Sequence, residues 1–201
     1  LLEARFYLKN MIVCCDDRLF FPSPRGGEGR VRGQLVRGQA FPLLGSFPQG
    51  EKKIIYQKEL PLPVSVIDEA GIKKSALIKK IAAYALSELG KKSAEISVLI
   101  TDNSGIQALN KKFRRMDRPT DVLSFPMNDE DMLGDVVISK EKVISQSKEF
   151  NVSADEELAR LFIHGLLHLL GFDHVKGGTQ ARKMKAKEEE LMQGVRGKGW
   201  I

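Results

Sequence analysis

From Val64 onward the apolar residues recur with the periods of strands and helices; before it they do not. VSVI (64–67) reads as a short strand. Leu77, Ile78, Ile81, Ala82, Ala85, Leu86 and Leu89 then share one face of a helix that Ser75 caps and Gly90 closes. EISVLIT (95–101) alternates, with Ile96, Val98 and Ile100 on one side, as a half-exposed strand does. A short helix from about Ser104 to Phe113 follows. DVLSFP (121–126) and DVVIS (135–139) are two further strands, separated by the acidic loop MNDEDMLG. Ser153 and Glu156 are spaced as a capping box for a helix running to Leu170 and stopped by Gly171. Thr179 caps a last charged helix, ARKMKAKEEELM, and residues 194–201 read as a frayed C-terminal tail. No internal repeat is visible. The order of elements predicts an α+β fold with one mixed β-sheet of about four strands covered by helices.

The domain is expected over residues 63–193, and residues 1–62 are a different kind of chain. Their stretch PSPRGGEGRVRGQLVRGQAFPLLGSFPQG is dense in Gly, Pro and Arg, a composition that buries too little apolar surface to offset chain entropy. They are read as a disordered or non-native N-terminal extension, with a basic nucleic-acid-touching arm as the alternative. With 201 residues, 42% hydrophobic and 29% charged, the chain is long enough for one domain with a substantial core. Every apolar run is broken well before the roughly 20 residues of a membrane helix, so no membrane association is expected. The opening residues lack the uniform apolar region of a signal peptide, and the two cysteines, Cys14 and Cys15, are adjacent, so a framework disulfide is implausible. A cytoplasmic location is the expectation.

The chemistry concentrates in the histidines. All three, His164, His168 and His174, lie in HGLLHLLGFDH. His164 and His168 are four apart on the predicted helix, so both rings project from one face, as two ligands of one metal must. Gly171 ends the helix, in a left-handed conformation, and lets FDH fold back so that His174 reaches the same ion. One histidine on an apolar helix is usually a satisfied core residue; three at this spacing are better explained as a metal site. Three neutral nitrogens suit one Zn²⁺ and leave a fourth tetrahedral position open, the arrangement of a catalytic rather than a structural zinc. Asp173 is a candidate fourth ligand, and more comfortably a carboxylate that braces the loop or a ligand. The spacing HxxxHxxGxxH is also that of the metzincin proteases, but Gly165 stands where their HExxH motif has the carboxylate that handles the water's proton. Peptide hydrolysis by that route is disfavoured.

Net charge is +6, and most of the excess lies in residues 1–62. Any nucleic-acid argument therefore rests on a local cluster: Lys111, Lys112, Arg114, Arg115 and Arg118, at the end of the short helix and in the loop after it. An arginine there could grip a phosphate bidentately. For most of the five, a solvated helix end answering the C-terminal dipole is the simpler role.

Three ordered blocks, HGLLHLLGFDH, LNKKFRRMDRPTDVLSFP and LGDVVIS, resemble the signatures of the YbeY family of bacterial endoribonucleases and rRNA maturation factors, over roughly residues 63–193. The resemblance implies a single α+β domain with zinc on His164, His168 and His174. It implies cleavage of single-stranded RNA in maturation of the 16S rRNA 3′ end and in ribosome quality control, with the rRNA precursor, the small ribosomal subunit and biogenesis factors as partners. The family's functional arginine falls on Arg114, so that Arg114 and His164 are the catalytic candidates. Lys111, Lys112, Arg115 and Arg118 are candidate RNA contacts. Asp117, Thr120 and Asp121 are expected to brace the loop, and Phe125 to stack on a base or pack in the core. A zinc peptidase or other zinc hydrolase, and an RNA-binding ribosome-assembly factor with a structural zinc, are the competing readings.

Overall fold

The computed structural model describes residues 64–127, 132–174 and 178–201, all within one compact unit. The expectation for residues 1–62 lies outside the described residues. Four strands and five helices follow in chain order: β1 (Val64–Asp68), α1 (Ser75–Glu88), β2 (Glu95–Thr101), α2 (Asn103–Arg114), β3 (Val122–Pro126), β4 (Met132–Ser139), α3 (Lys140–Glu149), α4 (Ala154–Leu169) and α5 (Gly178–Gly197). The strands form a single mixed sheet in the order β1-β2-β4-β3. β1, β2 and β4 are parallel, and β3 runs antiparallel to β4 at the edge. The α+β fold with one mixed four-stranded sheet is thus the one observed.

Strand alternation sorts the side chains onto two faces. Ile96, Val98, Ile100, Val122, Val136 and Ile138 turn toward α1, α4 and α5 and form the main core with Ile78, Ile81, Leu158, Phe162, Leu166 and Leu191. Leu123 and Val137 turn the other way and meet Ile106 of α2, with Leu99, Leu109 and Phe125 around them. α2 and α4 therefore lie on opposite faces of the sheet. α4 is buried nearly all round, which is why its sequence is apolar beyond one stripe.

Several boundaries differ from the sequence expectation. Ser75 is the first residue of α1 and not its cap; Lys74 holds that place, with no side-chain capping bond. α2 begins at Asn103, because the Asp102 carboxylate accepts from Gly105 N–H and makes Asp102 the cap. β4 begins at Met132 rather than Asp135, paired to β2 from Glu95 onward with an irregularity at Glu95/Ile96. The helix α3 went unpredicted: KEKVISQSKE buries only Val143 and Ser147, too little for a readable stripe, and is started by the Ser139 hydroxyl accepting from Lys142 N–H. Thr179 lies inside α5, which begins at Gly178. Residues 194–201 are not frayed. α5 continues to Gly197, and Trp200 packs edge-on against Tyr84 with centroids 6.2 Å apart. Gly194 lets Tyr84 lie against α5, since the Tyr84 hydroxyl occupies the space a Cβ there would need. No helix among the described residues is long and apolar enough to cross a membrane.

Candidate metal centre

α4 starts at the expected cap, with the Ser153 hydroxyl accepting from Glu156 N–H at 3.0 Å and acids in the first turn, while the Glu156 carboxylate of the expected capping box pairs with Arg196. It ends in a Schellman turn: Gly171 N–H donates to His168 O and Phe172 N–H to Leu167 O, each at 3.0 Å. Gly171 sits at φ +83°, the left-handed conformation that favours glycine. The turn returns the chain over the helix end and brings His174 back to the other two rings. His164 and His168 are buried, and His174 is half-buried. Ring centroids are 4.6, 5.2 and 5.1 Å apart around the triangle, and one ligand nitrogen from each lies within 4.8 Å of the others.

The hydrogen bonds on the far sides of the rings settle which nitrogen faces the centre. His164 Nδ1 lies 2.7 Å from Glu188 Oε2, and His168 Nδ1 lies 2.8 Å from the Phe172 carbonyl. A carboxylate and a carbonyl only accept, so each Nδ1 carries the proton and donates. In neutral rings both Nε2 atoms then present lone pairs, yet they stand 2.9 Å apart. Burial above all pushes His168 down to about 4, so its ring is neutral at ordinary pH. Two lone pairs aimed into one small space, with a third imidazole beside them, fit a borderline-soft cation such as Zn²⁺.

Gly165 faces away from this cluster, into the sheet. A Cβ there would lie 2.9 Å from Val136 Cγ1, 3.1 Å from Ser124 Oγ and 3.1 Å from Val122 Cγ2, and Ser124 donates to the Gly165 carbonyl at 3.0 Å. The absence of a carboxylate at this position therefore has a packing reason: helix and edge strand touch here.

The basic cluster occupies the other face. α2 closes with Arg115 in the left-handed region at φ 58°, and its loop is tied down by Asn110 Nδ2 donating to Arg118 O at 2.7 Å. Asp117 accepts from Gln107 and Lys111, bonds that hold its carboxyl below the usual range. Asp121 accepts from Val122 N–H, Thr120 and Gln146. These acids brace the loop. Phe125 is half-buried and packs edge-on against Phe113 at 5.4 Å. Lys111 is ion-paired with Asp117 at 2.6 Å, Lys112 lies over the Phe113 ring, and Arg115 and Arg118 are exposed. Arg114, the last residue of α2, is half-buried. The helix that carries Arg114 and the helix that carries His164 and His168 lie on opposite faces of the sheet.

Sequence reasoning missed Glu188. Asp173, the carboxylate it considered, is half-buried beside the cluster, and a second carboxylate, from α5, is bonded to His164. A signal existed: Met184, Leu191 and Val195 form the buried stripe of α5, and Glu188 falls on it, four residues after Met184 and three before Leu191.

A family model described as Endoribonuclease YbeY matches residues 65–196. Curated relatives include an Endoribonuclease YbeY of Aquifex aeolicus, 48% identical over 119 residues that cover 57% of this chain and 79% of the relative. One of Roseiflexus sp. is 41% identical over 133 residues, 60% of this chain and 83% of the relative. Among solved structures, the solution structure of a Thermotoga maritima protein matches with a TM-score of 0.51 at 31% identity, covering 68% of this chain and 94% of that one.

Proposed function

Because the chain belongs to the YbeY endoribonuclease family, we propose that it cleaves single-stranded RNA with one Zn²⁺ held by His164, His168 and His174. The observation that carries the metal centre is the pair of Nε2 atoms 2.9 Å apart, both turned inward because their Nδ1 sides are occupied. When bound, the ion supplies Lewis-acid polarisation of a water or phosphate oxygen beside it. Arg114 binds a phosphate and stabilises the charge that accumulates as the phosphodiester bond breaks. Lys112, Arg115 and Arg118 hold the flanking phosphates without reading sequence; Lys111 shares its charge with Asp117. An RNA strand crossing the β3 edge would meet α2 on one side and the histidines on the other. The natural substrate is the rRNA precursor at the 16S 3′ end, met in the cytoplasm on the small ribosomal subunit with biogenesis factors present; family membership supports this assignment.

The test is cleavage of a single-stranded oligoribonucleotide by the purified chain. Activity is expected to vanish on chelation, to return with Zn²⁺, and to be absent in His168→Ala. Arg114→Glu is expected to lose about a hundredfold or more in rate while its metal content stays that of the unmodified chain. Loss of metal together with activity in that variant removes the assigned role. A folded, zinc-loaded chain that binds RNA but cuts none points to an assembly factor with a structural zinc. Zinc-dependent cutting of peptides points to a different zinc hydrolase.

A further inference from the structure

α5 brings a carboxylate to the metal cluster from a part of the chain that carries no ligand. Facing the protein from the buried stripe of the helix, Glu188 would be costly to hold as a charge without a partner. Its partner is His164, at 2.7 Å, and only 20% of the Glu188 side chain remains exposed. The helix is fixed at points away from the cluster. Gly194 lies against Tyr84, Trp200 packs on the same ring, and Arg196 pairs with Glu156 of α4 at 2.7 Å. The carboxylate's place is thus set by packing around it.

Resting on the metal centre proposed above, we infer that Glu188 is a positioning residue that sets the affinity of this centre for its ion. It accepts the Nδ1 proton of His164, so the ring is held in the tautomer and orientation that turn the Nε2 lone pair inward. The adjacent negative charge makes that lone pair a better donor. Glu188 is not itself a ligand, because Oε2 sits on the Nδ1 side of the ring, opposite the nitrogen that meets His168. His168 is oriented differently, by the Phe172 carbonyl. Docking of α5 and occupancy of the centre are therefore linked.

The measurement is Zn²⁺ affinity of the full, metal-stripped chain, by competition with a chromophoric chelator, with far-UV circular dichroism and melting of the metal-free protein recorded alongside. Glu188→Ala is expected to bind about ten- to a hundredfold more weakly. Glu188→Gln, whose amide oxygen still accepts the Nδ1 proton, is expected to recover part of that loss. A folded Ala variant with unchanged affinity overturns the inference, as does a Gln variant no better than Ala. If the Ala variant does not fold, Glu188→Asp decides: its carboxylate is one methylene too short, so weaker binding supports the role and unchanged affinity refutes it. An unmodified chain that takes up no Zn²⁺ overturns the metal centre itself and this inference with it, whereas equal binding by all variants overturns the inference alone.

Discussion

Gly165 shows how a single side chain, or its absence, sets how two elements approach. Its hydrogen occupies a gap bounded by the side chains of Val136, Ser124 and Val122, so Gly165→Ala must push them aside and, net of the roughly 0.5–1 kcal/mol that alanine gains inside a helix, is expected to cost about 1–2 kcal/mol. Urea unfolding measures it; an unchanged midpoint would mean the contact relaxes freely. Asp135 provides a second test. Burial pushes its carboxyl above the usual value, with a Ser97 hydrogen bond opposing. A folded-state value above the unfolded one means that the protonated form is favoured by folding. Its stabilising contribution is full below the unfolded value, near pH 4, and is lost as pH rises through the folded one. Asp135→Asn is therefore expected to raise the unfolding midpoint relative to the unmodified chain at neutral pH, with the advantage disappearing in acid. An advantage independent of pH would assign the effect to something other than the charge.

At the scale of elements, caps are local signals, and they were legible only in part. Ser153 caps α4 as its spacing from Glu156 indicates, and Ser153→Ala is expected to cost about 1 kcal/mol, read by thermal unfolding. Arg115 ends α2 at φ 58°, where a side chain is strained, so Arg115→Gly is expected to stabilise by up to about 1 kcal/mol even as it removes a cation proposed to meet RNA. A variant both less stable and weaker in RNA binding would show that the arginine side chain contributes to packing. Ser75 misled because a serine near a helix start is only a candidate: the backbone enters α1 one residue earlier, at Lys74. α3 escaped notice because it buries little of itself, whereas α4, buried on nearly every side, announced its length and end in its composition.

For the whole molecule, an ion held by residues that meet only in the folded state stabilises that state by mass action. Zn²⁺ at about a hundred times its dissociation constant is expected to add about 2.7 kcal/mol. A calorimetric melt should shift upward with free Zn²⁺ in the unmodified chain and not in His168→Ala; equal shifts in both would place the binding elsewhere. The three histidines were legible because they are close in sequence. A four-residue spacing on one helix and a glycine-ended turn are enough to converge them, and Gly171 at φ +83° does so. The strands and the α+β class were likewise written in periodicity, which is a property of neighbours along the chain. Glu188 was not legible as a partner of His164, because 24 residues separate them and the register of α5 is fixed by Tyr84, Trp200 and Glu156, contacts that no local pattern encodes. Nor did the sequence place α2 and its arginine on the sheet face opposite α4. By itself it determined which residues could bind a metal and a phosphate. The tertiary structure decided which carboxylate meets His164 and that α2 and α4 lie on opposite faces of the sheet, since those depend on packing between segments distant in the chain.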